Sequence, residues 1–256
     1  MKKGIFIIII FVFIFLLIFG TLYIYSSNQN QNSTDKLKEK VDAEIKYLED
    51  EIILMMSELN NVQLIDEQSS IINMNQNDTS ILNNKQVDYE NVKKDIENMY
   101  QTWNTTIIDL NSLGIKQDDL LKYTTYLGNA TNAIKSKNKK SVMYNLADLY
   151  SLLVRYTKDY SNDNKKIILL SVKSNILYSY ALIEDTKWNE MKNYIQKAQT
   201  VYSELMNGAM PSNVNPININ KSYILLNELF KSADLKNKDS FYINYKNLMD
   251  ELDIIG

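Results

Sequence analysis

Residues 4–25, GIFIIIIFVFIFLLIFGTLYIY, form a nearly unbroken apolar run without a single charge. As a helix rising about 1.5 Å per residue the run reaches about 33 Å, enough to cross a bilayer core of about 30 Å. A stretch this long and this apolar is read as a membrane span rather than a core helix. Lys2 and Lys3 precede it and the next basic residue is Lys36. The positive-inside rule therefore keeps residues 1–3 as a cytoplasmic stub and places the bulk of the chain outside the cytoplasm. Tyr23 and Tyr25 fall at the outer interface, where aromatic rings favour the headgroup layer. The run is longer than the apolar region of a signal peptide, and Tyr23 to Ser27 offer no Ala-x-Ala site. An uncleaved, single-pass signal-anchor is expected, with cleavage beside Ser26 or Ser27 as the competing outcome. The chain has no Cys, which closes the lipid-anchored route and rules out disulfides.

The chain beyond the anchor is large enough to bury a sizeable core. Removing Lys2 and Lys3 from 28 basic residues leaves 26 against 31 acidic ones, a balance of −5. The signs are interspersed, so no basic face suited to nucleic acid is expected. His is absent too. That removes the commonest general base, the commonest metal-binding side chain and the usual group titrating near neutrality. With two prolines, six glycines and no sustained alternation of apolar and polar residues, the domain is expected to be all-α.

Residues 26–34 read as a polar tether, with Thr34 as an N-cap. Helix A is expected over about 35–62. Its seam of Val41, Ile45, Leu48, Ile52, Met55, Leu59 and Val62 is spaced 4, 3, 4, 3, 4, 3, a heptad pattern. A parallel coiled-coil dimer would set Glu44 against Glu49 of the partner helix, so an antiparallel partner within the chain is expected instead. Helix B, about 88–113, supplies it, with Tyr89, Val92, Ile96, Met99, Trp103, Thr106, Leu110 and Leu113 on one face and Gly114 as its stop. The two make an antiparallel helical pair over 35–113, joined by a polar loop at 63–87.

Residues 114–256 are expected to form a helical-hairpin domain. Helices C (about 117–136) and D (about 140–160) turn at Lys137-Asn138. Helices E (about 164–184) and F (about 187–206) turn at Asp185-Thr186. Helices G (about 219–235) and H (about 239–253) turn at Lys236-Asn237. Ala133, Ala181 and Ala233 stand shortly before the three turns, at intervals of 48 and 52 residues, which suggests a repeating hairpin. Stacking as a short α-solenoid and closure into a bundle both remain open. Helix E is apolar around most of its surface, which places it mid-domain rather than across a second membrane. Ile176, Leu177 and Trp188 are expected to be buried. Segment 187–205 resembles part of a tetratricopeptide unit, with Trp188 ahead of Ala198. The likeness covers one hairpin, and the repeat is longer than 34 residues.

No catalytic, cofactor-binding or metal-binding residue is predicted. Phosphate-cradling glycine loops are absent, and Asp159, Ser161 and Asp163 match only the start of a calcium loop, with Asn164 where glycine is required. The acidic pairs Asp118-Asp119, Glu184-Asp185 and Asp250-Glu251 read as helix-end charges. Tyrosine is the one abundant residue type suited to an interface, at Tyr144, Tyr150, Tyr156, Tyr160, Tyr178, Tyr180, Tyr194 and Tyr202. The expectation is a non-enzymatic protein-interaction or scaffold component of the cell envelope, held in the membrane by residues 4–25 and binding a protein partner. The alternative is an extracytoplasmic ligand-sensing or solute-capture module that works with a partner membrane protein.

Overall fold

The structure, a computed structural model, describes residues 33–60, 62–64, 82–84, 87–208 and 215–256. The cytoplasmic stub expected over 1–3, the membrane anchor over 4–25 and the tether as far as residue 32 lie outside them. The chain divides after Ala43 into two units, and of the first, residues 33–43 are described and are helical. The second unit, Glu44–Gly256, holds the rest.

Among the described residues the fold is helical, with eight helices. They are α1 (33–60), α2 (Tyr89–Ser112), α3 (Gln117–Lys135), α4 (Lys139–Tyr160), α5 (Asn164–Ala181), α6 (Trp188–Asn207), α7 (Pro216–Asp234) and α8 (Lys238–Ile255). The one non-helical pairing joins β1 (Val62–Leu64) to β2 (Leu82–Asn84), antiparallel, almost wholly inside the expected 63–87 loop. Helix α1 stops at residue 60, so Val62, expected to end its seam, lies in β1 instead. Helix α7 starts three residues earlier than the apolar pattern suggests. Pro216 occupies its first turn, where a missing N–H costs nothing, and the Asn215 side chain accepts from the Ile217 N–H.

The heptad seam of α1 is used within the chain. Val41, Ile45, Leu48, Ile52, Met55 and Leu59 are all fully buried. Thr105 donates to Glu44 at 3.3 Å, and burial together with the proximity of Asp95 raises the pKa of Glu58, so α2 runs antiparallel to α1 as expected. From α2 onward each helix packs on the next in sequence, and α5 also packs on α8. Helix α8 then reaches α1, where Asp253 lies 3.7 Å from Lys46. The hairpins therefore follow one another in order and the last closes on the first.

The repeat is regular in the core, though the alanines do not mark it. Val92, Ile96, Met99, Trp103 and Thr106 on α2 recur 50 residues on as Val142, Leu146, Leu149, Leu153 and Tyr156 on α4. A further 49 gives Met191, Ile195, Ala198, Tyr202 and Leu205 on α6, and another 50 gives Phe241, Tyr245, Leu248, Leu252 and Ile255 on α8. All twenty are buried. The first helices keep the same register. Leu120, Leu127 and Ile134 correspond to Leu169, Ile176 and Ile183, and these to Ile219, Leu226 and Ala233, all buried. Ala133 thus matches Leu182 and Ser232, not Ala181 and Ala233. Helix α1 fits at an offset of 75, through Ile45, Ile52 and Leu59. The α1–α2 pair is therefore a fourth copy of the hairpin, with 25 extra residues in its turn.

The turns carry the same signature. Lys137, Thr186 and Lys236 all adopt the left-handed conformation, with φ of 53°, 51° and 54°. At Lys137 and Lys236 the helix ends in a Schellman motif. Asn138 N–H donates to Ala133 and Lys137 N–H to Ile134, and Asn237 N–H donates to Ser232 and Lys236 N–H to Ala233. Asn138 and Asn237 then cap the next helix, accepting from Ser141 and Ser240 N–H. A left-handed lysine costs more than a left-handed glycine. Lys236→Gly should therefore raise stability by about 0.5–1 kcal/mol, read as a higher urea midpoint. An unchanged midpoint would mean that the turn does not hold this conformation in solution.

Helix α5 is the middle of the core. Leu169, Leu170, Val172, Ile176, Leu177, Tyr180 and Ala181 are buried. With the 3-10 turn after it, this is the one stretch among the described residues long and apolar enough to cross a membrane, and 72% of its apolar window is buried in the fold. It packs as a core helix. Trp188 departs from expectation. It opens α6 at the turn and is only half-buried, three residues ahead of Met191, where the buried face of the helix begins. Trp188→Ala should therefore cost about 1 kcal/mol or less, against about 3–5 kcal/mol for a fully buried Trp. A denaturation midpoint lowered as far as by a core truncation would place its ring in the core.

Candidate functional site

The tyrosines divide by exposure. Tyr150, Tyr156, Tyr160, Tyr180 and Tyr202 are buried. Tyr144, Tyr178 and Tyr194 are half-buried and share one face of α4, α5 and α6. There Tyr178 donates to Asp148 at 2.6 Å and stacks on Tyr194 with centroids 5.0 Å apart, while Lys197 sits 4.8 Å from the Tyr194 ring. Tyr144 donates to Asp185 at 2.8 Å.

The expected helix-end acids are mostly used to join helices. Lys122 and Arg155 bind Asp119 at 2.6 and 2.9 Å and hold its carboxyl below the usual range. Lys140 and Tyr144 do the same for Asp185. Burial pushes Glu184 up, but Lys139 at 3.1 Å and Lys238 at 3.9 Å, with the Tyr242 hydroxyl, bring it below its ordinary value. Lys246 pairs with Asp250, and Lys221 with the buried Glu251. A carboxyl held ionised in this way is poorly suited to act as a general acid. Asp163 caps α5 by accepting from Lys166 N–H, so the partial calcium pattern serves as the turn between α4 and α5. No group of three metal-binding side chains occurs among the described residues.

One carboxyl stands apart, and the seam pattern gave no warning of it. Glu49 on α1 is 2% exposed. Burial drives its pKa up to about 7, opposed by Lys173, Lys46 and Lys166 and reinforced by Asp50. Lys173, itself 5% exposed, pairs with Asp253. Nearby Tyr123 and Tyr150 are fully buried, and their hydroxyls lack a hydrogen-bond partner among the described residues. Glu49 and Lys173 occupy similar repeat positions on α1 and α5. The buried charges meet where the first hairpin closes on the third and fourth.

Beside this cluster lies a cleft of about 190 Å³ between α1, α5 and α8, lined by Ile53, Ser57, Tyr180, Tyr242, Tyr245 and Met249, with Lys246, Asp250 and Asp253. Tyr180 stacks on Tyr245 at 3.9 Å and meets Tyr242 edge-on at 5.7 Å. The Tyr245 hydroxyl is buried without a partner among the described residues. The volume suits a molecule of one or two small rings; a cavity of about 150 Å³ holds benzene.

The hairpin turns form a second cluster. Tyr89 donates to the Lys137 carbonyl at 3.0 Å, which ties the start of α2 to the second turn. Glu184 bonds Lys139 of the second turn and Lys238 of the fourth. Lys192 pairs with Asp234 at 2.8 Å. The turns thus stand side by side at one end of the array, and Lys135, Lys137, Lys187 and Lys236 are exposed there. No family model, curated protein or solved structure matches this chain.

Proposed function

We propose that this chain is a membrane-anchored, extracytoplasmic scaffold that binds a protein partner without catalysis. The observation that carries this reading is the array of four helical hairpins in one register. Stacked hairpins bury a continuous core and leave long outer faces and aligned turns available for recognition. The uncharged run at 4–25 with Lys2 and Lys3 before it supports single-pass anchoring with the N-terminus inside. The pairing of the acidic side chains with lysines supports a structural role for them. Crosslinking in intact cells followed by purification of the chain should recover one partner in stoichiometric yield, and recovery of none would count against the scaffold. An extracellular protease applied to wall-stripped cells should remove residues 33–256 and leave a small membrane-held fragment. Full protection of the C-terminus would overturn the orientation.

A second reading, capture of a small ligand, is favoured by the tyrosine-lined cleft between α1, α5 and α8. It predicts that indole or phenol raises the melting temperature in a saturable way. Tyr245→Phe should weaken that effect, since it removes the one buried hydroxyl in the cleft that lacks a partner.

A further inference from the structure

We infer that the turn end of the array is its docking face and that it takes an acidic protein segment, with Trp188 as the apolar anchor. This deepens the scaffold reading and rests on it. The charge balance of the whole chain is negative, yet lysines stand at or beside each of the last three turns, among acids that include Glu190 and Asp234. Lys139, Lys140 and Lys238 are engaged by Glu184 and Asp185, which hold the second, third and fourth turns together. Lys135, Lys137 and Lys236 are exposed, and their side chains have no ion-pair partner among the described residues. Two of these three sit at equivalent left-handed positions, where glycine is the less strained residue. Strained side chains repeated at one end of a fold point to a use for those side chains.

Trp188 supplies the apolar part. It opens α6 between the Lys137 and Lys236 turns and is half-buried, and beside it in sequence the exposed Lys187 pairs with Glu190 at 3.6 Å. Leu235, 68% exposed, stands next to Lys236. Tryptophan is enriched at interface hot spots, and the exposed lysines of the neighbouring turns fit a polar rim. Lysines around it would speed encounter with a negative segment and make binding salt-dependent. A purely anionic polymer would use the lysines and leave Trp188 and Leu235 without a match, which favours a peptide carrying acidic and apolar residues together.

The test uses the full chain in detergent micelles and a fluorescein-labelled seven-residue peptide of Glu and Asp with a central Leu, followed by anisotropy. Saturable binding that weakens with added salt is expected. Lys137→Asn with Lys236→Asn removes two charges, and Asn tolerates the left-handed conformation, so the turns are kept. That pair should weaken binding roughly tenfold, as should Trp188→Ala alone. Lys116→Asn with Lys158→Asn removes two exposed charges from the opposite end and should change binding less than about twofold. Equal weakening by the two pairs, no binding by the unaltered chain, or tighter binding of inorganic polyphosphate or phosphatidylglycerol vesicles at the same residues would overturn the proposal. The cellular crosslinking separates the two levels. If the turn-end variants still recover the partner, the scaffold reading stands and this docking face falls.

Discussion

Ile52→Asp should unfold the chain or leave it barely stable. Ile52 is fully buried midway along α1, between Leu48 and Met55 on the face that the other hairpins cover. The substitution removes roughly 2 kcal/mol of apolar burial and places a carboxylate where nothing is positioned to pair with it. An unpaired buried charge alone costs about 3–5 kcal/mol. The combined loss, about 5 kcal/mol or more, equals the whole stability of many domains. Circular dichroism and urea titration of the full chain in micelles would read it directly. The result also decides how the heptad seam is used. If Ile52→Asp left a folded monomer from a chain that otherwise dimerises, the seam would belong to a coiled coil between chains.

Glu49→Gln should stabilise the protein at pH 8 and do little at pH 5. The folded-state pKa of Glu49, about 7, lies above its ordinary value of 4.5. In that window the folded chain holds a proton that the unfolded chain has released. Stability is therefore complete below about pH 4.5 and falls as pH rises through 7. At about 1.36 kcal/mol per unit, the loss amounts to about 3 kcal/mol by pH 8. Glutamine has the same shape and no charge to lose, so the variant should lack this part of the pH dependence. Lys173 keeps Asp253 as its partner in the variant, so no lone cation is created. The measurement is the difference in unfolding free energy between parent and variant across pH 5–8, which cancels the titration of every other group. A flat difference would mean that water or a nearby lysine keeps Glu49 ionised throughout.

Glu49 stands on the first helix of the array, and its charge faces Lys173 on α5, which is bonded to Asp253 on α8.

Much of the architecture was written locally in the chain. The 3.5-residue spacing of Ile45 to Leu59 predicts a helix with one buried seam, and Gly114, with φ of 94°, ends α2 where a glycine stop was expected. The hairpin turns at Lys137, Thr186 and Lys236 lie where the apolar periodicity breaks. The proposed membrane anchor rests on sequence alone, since twenty-two uncharged residues answer to the thickness of a bilayer whatever else the chain does. Other features depended on which helices pack together. The fourfold register stayed hidden because equivalent core sites hold Ala133, Leu182 and Ser232, and a core site constrains volume and burial, not identity. Trp188 is expected inside because it opens the second helix of the middle hairpin. Its place in the first turn of α6 leaves it at the loop. Glu49 falls beside the seam, at a flanking heptad position. It is buried because α1 meets α2 on one side and α5 and α8 on another, which widens its covered face beyond the heptad positions. Periodicity reports one face of one helix. How many neighbours share that face is decided only when the last hairpin returns to the first.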